Sequence, residues 1–240
     1  MRTLLRRFGG AWLLLACVSA AAAPGGVAVS PLRLDLNATQ TSAALTVANR
    51  DTRPRRFQIV LLGWTQDDRG DQFGDAEALL ANPPLFELAP DAQQIVRVGN
   101  IKLPPAAVEQ AFRIYVAEIP EQGALKDGQL NFLLRLSVPL YVAPSATAHR
   151  AWRWSAYRDG NAYVLRADND GNVHQRRAQL HVVDADRGTA LGDDAGFRDV
   201  LPGAHALWRF PAQPPYAQRL RLTATTDIGT DESTVPLGTP

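Results

Sequence analysis

Apolar and polar residues alternate in short stretches along much of the chain, most clearly over residues 112–119, which read FRIYVAEI. Residues 27–36 alternate in the same way, and residues 43–48 and 57–64 are also typical of strands. Turn residues follow several of these stretches, as at residues 49–51. Because successive side chains of a strand point to opposite faces, period-two stretches separated by turns predict an all-β sandwich fold.

A change in composition near the middle of the chain predicts two domains. Residues 145–148 are small and polar, as in an interdomain linker. Further strand-like stretches follow at residues 151–157 and 162–167, on either side of a hairpin-like turn. Each part has the length of one β-sandwich. We therefore predict a signal peptide and two domains, at residues 1–23, 24–146 and 147–240.

The N-terminus has the three parts of a secretory signal peptide. Arg2, Arg6 and Arg7 supply the charge, residues 11–18 form an apolar run, and residues 19–23 are small. The apolar run is too short to span a bilayer, and no later stretch is long and apolar enough. We therefore expect an exported chain without a transmembrane segment.

Cys17, the only cysteine, lies within this predicted signal. It is either an ordinary residue of the signal or, as the sequence Leu14-Leu15-Ala16-Cys17 leaves open, the lipidated cysteine of a lipoprotein. Removal of the signal leaves a mature chain without cysteine. A disulfide framework, a thiolate metal site and a cysteine nucleophile are then excluded.

Charge and motifs give no support for catalysis. The chain has 25 basic and 24 acidic residues, so no general attraction to nucleic acid is expected. Neither a nucleophile elbow nor a phosphate-binding loop occurs, and the four histidines lack metal-ligand spacing. The sequence therefore predicts a protein that is not an enzyme, with no catalytic residues, no metal site and no cofactor.

One apolar face is unusually long. The even positions from 130 to 140 are all apolar, whereas the odd positions are mixed; the apolar residues are Leu130, Phe132, Leu134, Leu136, Val138 and Leu140. Such a face is typical of a core strand. However, residues 130–142 exceed the usual strand length, and Pro139 suits an edge strand because it has no N–H to donate. A long apolar edge strand invites pairing with another chain.

These features occur within a series of motifs that resembles the periplasmic chaperones of the chaperone–usher pathway, which carry pilus subunits. The resemblance is strong over the predicted first domain and weaker over the second. Residues 136–144 look most like the archaic branch of the family. The matching segments are residues 29–36, 44–49, 83–98, 110–120 (which end in Glu-Ile-Pro) and 130–144.

The resemblance implies two immunoglobulin-like β-sandwich domains in a boomerang arrangement. It implies that the chaperone lends a strand to a subunit that lacks one, by donor-strand complementation, and delivers that subunit to an outer-membrane usher. The expected location is the periplasm, and the free form is expected to shield its apolar edge, for example by self-association. The groove-filling residues would be Leu130, Phe132 and Leu134, extended by Leu136 and Val138.

The resemblance also implies that Arg33 binds the terminal carboxylate of the subunit. The lysine that accompanies this arginine in the family falls at Pro139, and either Arg135 or Arg97 is left as its replacement. Glu109 resembles a residue that holds the domain interface, but the position of its usual arginine partner is Ala143.

The alternative function is a secreted carbohydrate-binding or adhesive β-sandwich module. Trp152 and Trp154 favour it, because they share one face of a predicted strand.

Overall fold

The computed structural model describes residues 26–120 and 132–239. These residues form eighteen β-strands and no helix, so the all-β prediction is confirmed. No helix in the described ranges is long and apolar enough to cross a membrane. The strands are β1 (Val27–Ser30), β2 (Leu34–Leu36), β3 (Ser42–Asn49), β4 (Arg55–Asp67), β5 (Gly70–Asp75), β6 (Leu79–Asn82), β7 (Leu85–Leu88), β8 (Gln93–Asn100), β9 (Gln110–Ile119), β10 (Arg135–Val142), β11 (Trp152–Asp159), β12 (Ala162–Asn169), β13 (Gln175–Asp184), β14 (Ala190–Asp194), β15 (Arg198–Val200), β16 (His205–Pro211), β17 (Arg219–Thr226) and β18 (Gly229–Gly238).

The first ten strands form two sheets with a shared core. One sheet has the order β1-β3-β8-β6, and the other has the order β2-β10-β9-β4-β5, with β7 also paired to β4. Leu45 and Val96 from the first sheet and Phe57 and Ile114 from the second are fully buried in one apolar cluster. The alternating pattern of the sequence thus forms the inner face of a sandwich.

The last eight strands build a second core. Their order is β14-β13-β17-β18-β11-β12-β16, with β15 also paired to β13. Leu165, Val182, Leu222 and Trp208 lie in this core. The predicted domain boundary at residues 146/147 falls between β10 and β11 and stays a prediction, and the predicted signal peptide lies outside the described residues.

Both sandwiches use a buried asparagine at the end of a strand. Asn49 ends β3 and Asn169 ends β12, and neither is exposed to solvent. Each side-chain oxygen accepts a hydrogen bond from the N–H two residues later, and each amide donates to the carbonyl four residues later. Each amide also reaches a distant loop, at Leu88 O (3.1 Å) and Val200 O (2.9 Å). The same side chain therefore fixes equivalent turns in both halves.

Two predicted strands differ from the observed ones. Residues 27–36 form two strands in different sheets, because the chain leaves β3 after Ser30 and joins β10 at Leu34. The strand predicted over residues 130–142 begins at Arg135, and Leu130 lies outside the described residues.

Candidate functional site

The strand β10 has one fully paired edge and one partly open edge. β9 pairs with it along its whole length, from Arg135 to Val142. On the other edge, β2 pairs in parallel only from Leu140 to Val142. Over residues 135–139, no strand occupies that edge in the part of the chain that the structure describes.

Hydrogen bonds at the two ends of the strand show which backbone groups face the open edge. The N–H of Glu118 in β9 donates to the carbonyl of Leu134 (2.8 Å), whereas the N–H of Ala143 donates to the carbonyl of Leu36, the last residue of β2 (2.9 Å). Backbone groups alternate along a strand, so even-numbered residues face β9 and odd-numbered residues face the open edge. Arg135 and Ser137 therefore present N–H and C=O groups there. Pro139 presents only a carbonyl, as suits an edge position.

The even-numbered side chains change from buried to exposed along this segment. Leu140 and Val138 are 0% and 2% exposed and lie in the first core. Leu136 is half-buried against that core, Leu134 is half-buried, and Phe132 is 84% exposed. Val138, predicted to extend the groove-filling row, is therefore not accessible in the free chain, because it packs in the cluster that also contains residues of the facing sheet.

Arg33 lies where the open edge ends. It directly precedes β2, and the register that pairs Leu34 with Leu140 places Arg33 beside Pro139 when continued by one residue. The side chain is 38% exposed, and its Nε donates to Asp35 Oδ2 (2.9 Å). Its Nη1 lies 4.0 Å from Asp227 Oδ2, in the turn between β17 and β18. The predicted anchor is thus accessible, and its charge is partly compensated.

The structure separates the two residues considered as the second cation. Arg97 lies on β8, in the sheet that does not contain β10, so the structure does not bring it to the open edge. Arg135 lies on β10 itself, with its guanidinium carbon 3.9 Å from the centre of the Tyr115 ring.

Arg113 was missed by the sequence analysis. It is the Cα partner of Pro139 on β9, and its guanidinium carbon lies 3.6 Å from the centre of the Trp64 ring. The only feature of the sequence that points to Arg113 is its place in the alternation of β9, where it lies on the same outward face as Tyr115. The pairing with Pro139 depends on a register between distant segments.

Glu109 joins the two halves of the molecule, as the resemblance implies, but through an unforeseen partner. Its carboxylate accepts a hydrogen bond from the backbone N–H of His174 (2.8 Å) and lies 2.7 Å from His174 Nδ1. The His174 ring stacks on Tyr141 with the centroids 3.6 Å apart. Burial raises the pKa of the Tyr141 hydroxyl well above its usual range. The C-terminal end of β10 is therefore held in place by both cores.

A second polar link lies beside this stack. The amide of Gln66 in β4 donates to Asp199 O (3.0 Å) and accepts from the N–H of Leu201 (2.8 Å). The Asp199 carboxylate accepts two hydrogen bonds from Arg176, at 2.6 and 2.9 Å. Burial by itself raises the pKa of Asp199, but these bonds outweigh it and hold that pKa below its usual range.

The tryptophans behind the carbohydrate alternative do not form an open platform. Trp154 packs against Trp208 with the ring centroids 5.9 Å apart, and Trp152 and Trp154 both pack against the second core. Residues 26–120 and 132–239 contain no group of three or more histidine, cysteine or acidic side chains placed to hold a metal ion.

Comparison with known proteins gives the family. The family of pili and flagellar-assembly chaperones, through its PapD N-terminal domain, matches residues 26–148, more than half of the chain. The chaperone protein LpfB of Salmonella typhimurium is 24% identical over 163 residues, which cover 65% of this chain and 68% of LpfB.

Solved structures agree with this fold. A chain of the CsuC–CsuE chaperone–tip adhesion subunit pre-assembly complex, from the archaic chaperone-usher Csu pili of Acinetobacter baumannii, matches with a TM-score of 0.66 and 19% identity, covering 88% of this chain and 98% of that chain. A chain of the Salmonella enterica complex of the SafA pilin with the SafB chaperone matches with a TM-score of 0.59 and 21% identity, covering 90% and 99%. The prediction of two immunoglobulin-like sandwiches is thereby confirmed. This chain belongs to the family of pilus-assembly chaperones of the PapD type.

Proposed function

We propose that this chaperone binds pilus subunits in the periplasm by lending them the open edge of β10. The observation that carries the proposal is the coincidence of two features in and beside β10. Among the described residues no strand pairs with the outer edge of residues 135–139, and the row of apolar side chains becomes exposed towards Phe132. A subunit that lacks a strand offers what this segment needs, namely a strand to pair with and an apolar groove.

Backbone pairing and groove filling have separate roles in this proposal. Arg135 and Ser137 would exchange hydrogen bonds with the added strand, independently of its sequence. Phe132, Leu134 and Leu136 would enter the groove, and Leu130 is expected to continue the row. Burying a side chain as exposed as Phe132 contributes about 1.5–3 kcal/mol, so among these three side chains Phe132 should contribute the most. Val138 would support the strand from within the core.

Arg33 is proposed to bind the terminal carboxylate of the subunit. It lies beside Pro139, at the point where β2 closes the edge, so the end of an added strand would lie next to it. A guanidinium binds a carboxylate through short, charge-assisted hydrogen bonds. The contact with Asp35 leaves Arg33 accessible enough to exchange one carboxylate for another.

Capping of this kind makes and breaks no covalent bond, and it requires no cofactor. We further propose delivery of the capped subunit to an outer-membrane usher and self-association of the free form through the same edge. The likeness to a chain from an archaic chaperone–usher system and the proline in place of the family's lysine support assignment to the archaic branch.

Co-purification tests this function. The tagged chaperone would be expressed in a periplasm together with the subunit genes that neighbour its own. We expect a stable complex with a β-rich subunit, and we expect Phe132→Asp to abolish it, since a charge would enter an apolar groove. Phe197→Asp is the matched control, because Phe197 is 80% exposed but lies between β14 and β15. Retention of the subunit by Phe132→Asp, or equal loss in both variants, would contradict the proposal.

A further inference from the structure

Three residues lie in one row across the sheet at the end of the open edge. Pro139 on β10 is paired with Arg113 on β9, and the parallel register of β2 places Arg33 on the other side of Pro139. Laterally adjacent residues of a sheet point to the same face, and neighbouring strands are about 4.8 Å apart. Arg33 and Arg113 therefore flank Pro139 on one face, and proline has no long side chain to separate them.

The same topology determines where an added strand must stop. β2 occupies the edge from Leu140 onwards, so a strand that pairs with residues 135–139 has to end or turn away beside Pro139. If the added strand is the C-terminal one of its chain and runs parallel to β10, as β2 does, its α-carboxylate comes to lie in this row. The charges around Pro139 are then the groups placed to bind that carboxylate.

Of the two arginines, Arg113 has the less compensated charge. Arg33 is bonded to Asp35 and lies near Asp227. Among the described residues, no carboxylate lies within 4.0 Å of the Arg113 guanidinium, which instead stacks on Trp64. An aromatic face fixes the position of a guanidinium while leaving its N–H groups free to donate. The side chain is half-buried, so a carboxylate would meet it in a partly desolvated site, where attraction is stronger than in water.

We propose that Arg113 is the second cation of the carboxylate site and acts across Pro139 from Arg33 in place of a lysine at position 139. This inference rests on the proposed function, because it needs a strand with a free terminus on the open edge. Arg135 lies four residues before Pro139 on β10, which at about 3.4 Å per residue is too far away to share the site.

The test compares one peptide in two forms. The probe is a synthetic peptide of the C-terminal strand of the co-purified subunit, prepared with a free carboxylate or with a terminal amide. We expect wild-type full-length chaperone to bind the free acid about tenfold more tightly than the amide, and Arg113→Met to reduce that ratio to about threefold. Methionine keeps an apolar stem over Trp64, so the amide should bind as before and the Tm should hardly change.

Arg97→Met is the matched control, since Arg97 is an exposed arginine of the other sheet, and it should leave the ratio unchanged. The variant Arg33→Met with Arg113→Met should remove the preference for the free acid altogether. A full preference in Arg113→Met would overturn the assignment of Arg113 even though the subunit still binds. The absence of any co-purified subunit would instead overturn the proposed function on which the assignment rests.

Discussion

The two halves of the segment around β10 share one sequence pattern and have different environments. From Val138 to Val142, Val138 and Leu140 lie in the first core, β2 closes the edge from Leu140 onwards, and Tyr141 stacks on His174 of the second half of the molecule. From Phe132 to Leu136, the even-numbered apolar side chains become exposed, and no strand of the described residues pairs with the outer edge of Arg135.

This difference shows how one strand can be both part of a fold and a ligand. The buried half fixes the register and direction of the strand through two cores, and pairing with β9 holds residues 135–137 extended before any partner arrives. Such pre-organisation lowers the entropy that binding would otherwise cost. The exposed half need contribute little to the stability of the chaperone, and the buried half need contribute little to specificity.

The largest expected effect would come from a charge in the buried half. Val138→Asp should destabilise the chain by about 4 kcal/mol or more, because the carboxylate would lie unpaired in the first core. Phe132→Asp, with the same charge on the same face six residues earlier, should change the stability by no more than about 0.5 kcal/mol. Urea unfolding of both variants measures the difference. Equal destabilisation would mean that the two halves do not differ as described.

A smaller effect is expected from the second core, which supports the buried half. The pKa of Asp199 is depressed in the folded state, so its stabilising contribution is present above the unfolded pKa of about 3.9 and is lost as the pH falls through the folded value. Asp199→Asn should lower the stability at pH 7 by about 2 kcal/mol and weaken the loss of stability on acidification. Urea unfolding at pH 7 and at steps from about pH 5 to about pH 2, the range in which the folded Asp199 becomes protonated, tests this, with Asp193→Asn, an exposed acid, as the control. An unchanged acid response in Asp199→Asn would contradict the role of its bonds to Arg176.

Local patterning predicted the faces of strands but not what covers them. The alternation correctly placed Leu136, Val138 and Leu140 on one face of β10, yet the burial of Val138 and the exposure of Phe132 could not be read from it. Apolar residues stand at odd positions in β1, as at Val27 and Val29, and at even positions in β2, at Leu34 and Leu36. This change of phase does not by itself tell that the chain moves to the other sheet after Ser30.

The partners in the site are set by long-range registers. Arg113 and Pro139 are brought together by the pairing of β9 with β10, and His174 is 65 residues from Glu109 along the chain. A local pattern of apolar and polar residues cannot predict such pairs, because their members are far apart along the chain. The family resemblance suggested roles for Arg33 and Glu109, whereas a role for Arg113 can be argued only from the sheet itself.

Residue-resolved amide hydrogen exchange of the free chaperone and of its subunit complex tests the central claim most directly. The amides of Arg135 and Ser137 face the open edge, whereas those of Leu136 and Val138 face β9. We predict that Arg135 and Ser137 exchange rapidly in the free chain and at least about tenfold more slowly in the complex, while Leu136 and Val138 are protected in both. Unchanged exchange at Arg135 and Ser137 in a stable complex would contradict the claim that this edge is lent to the subunit.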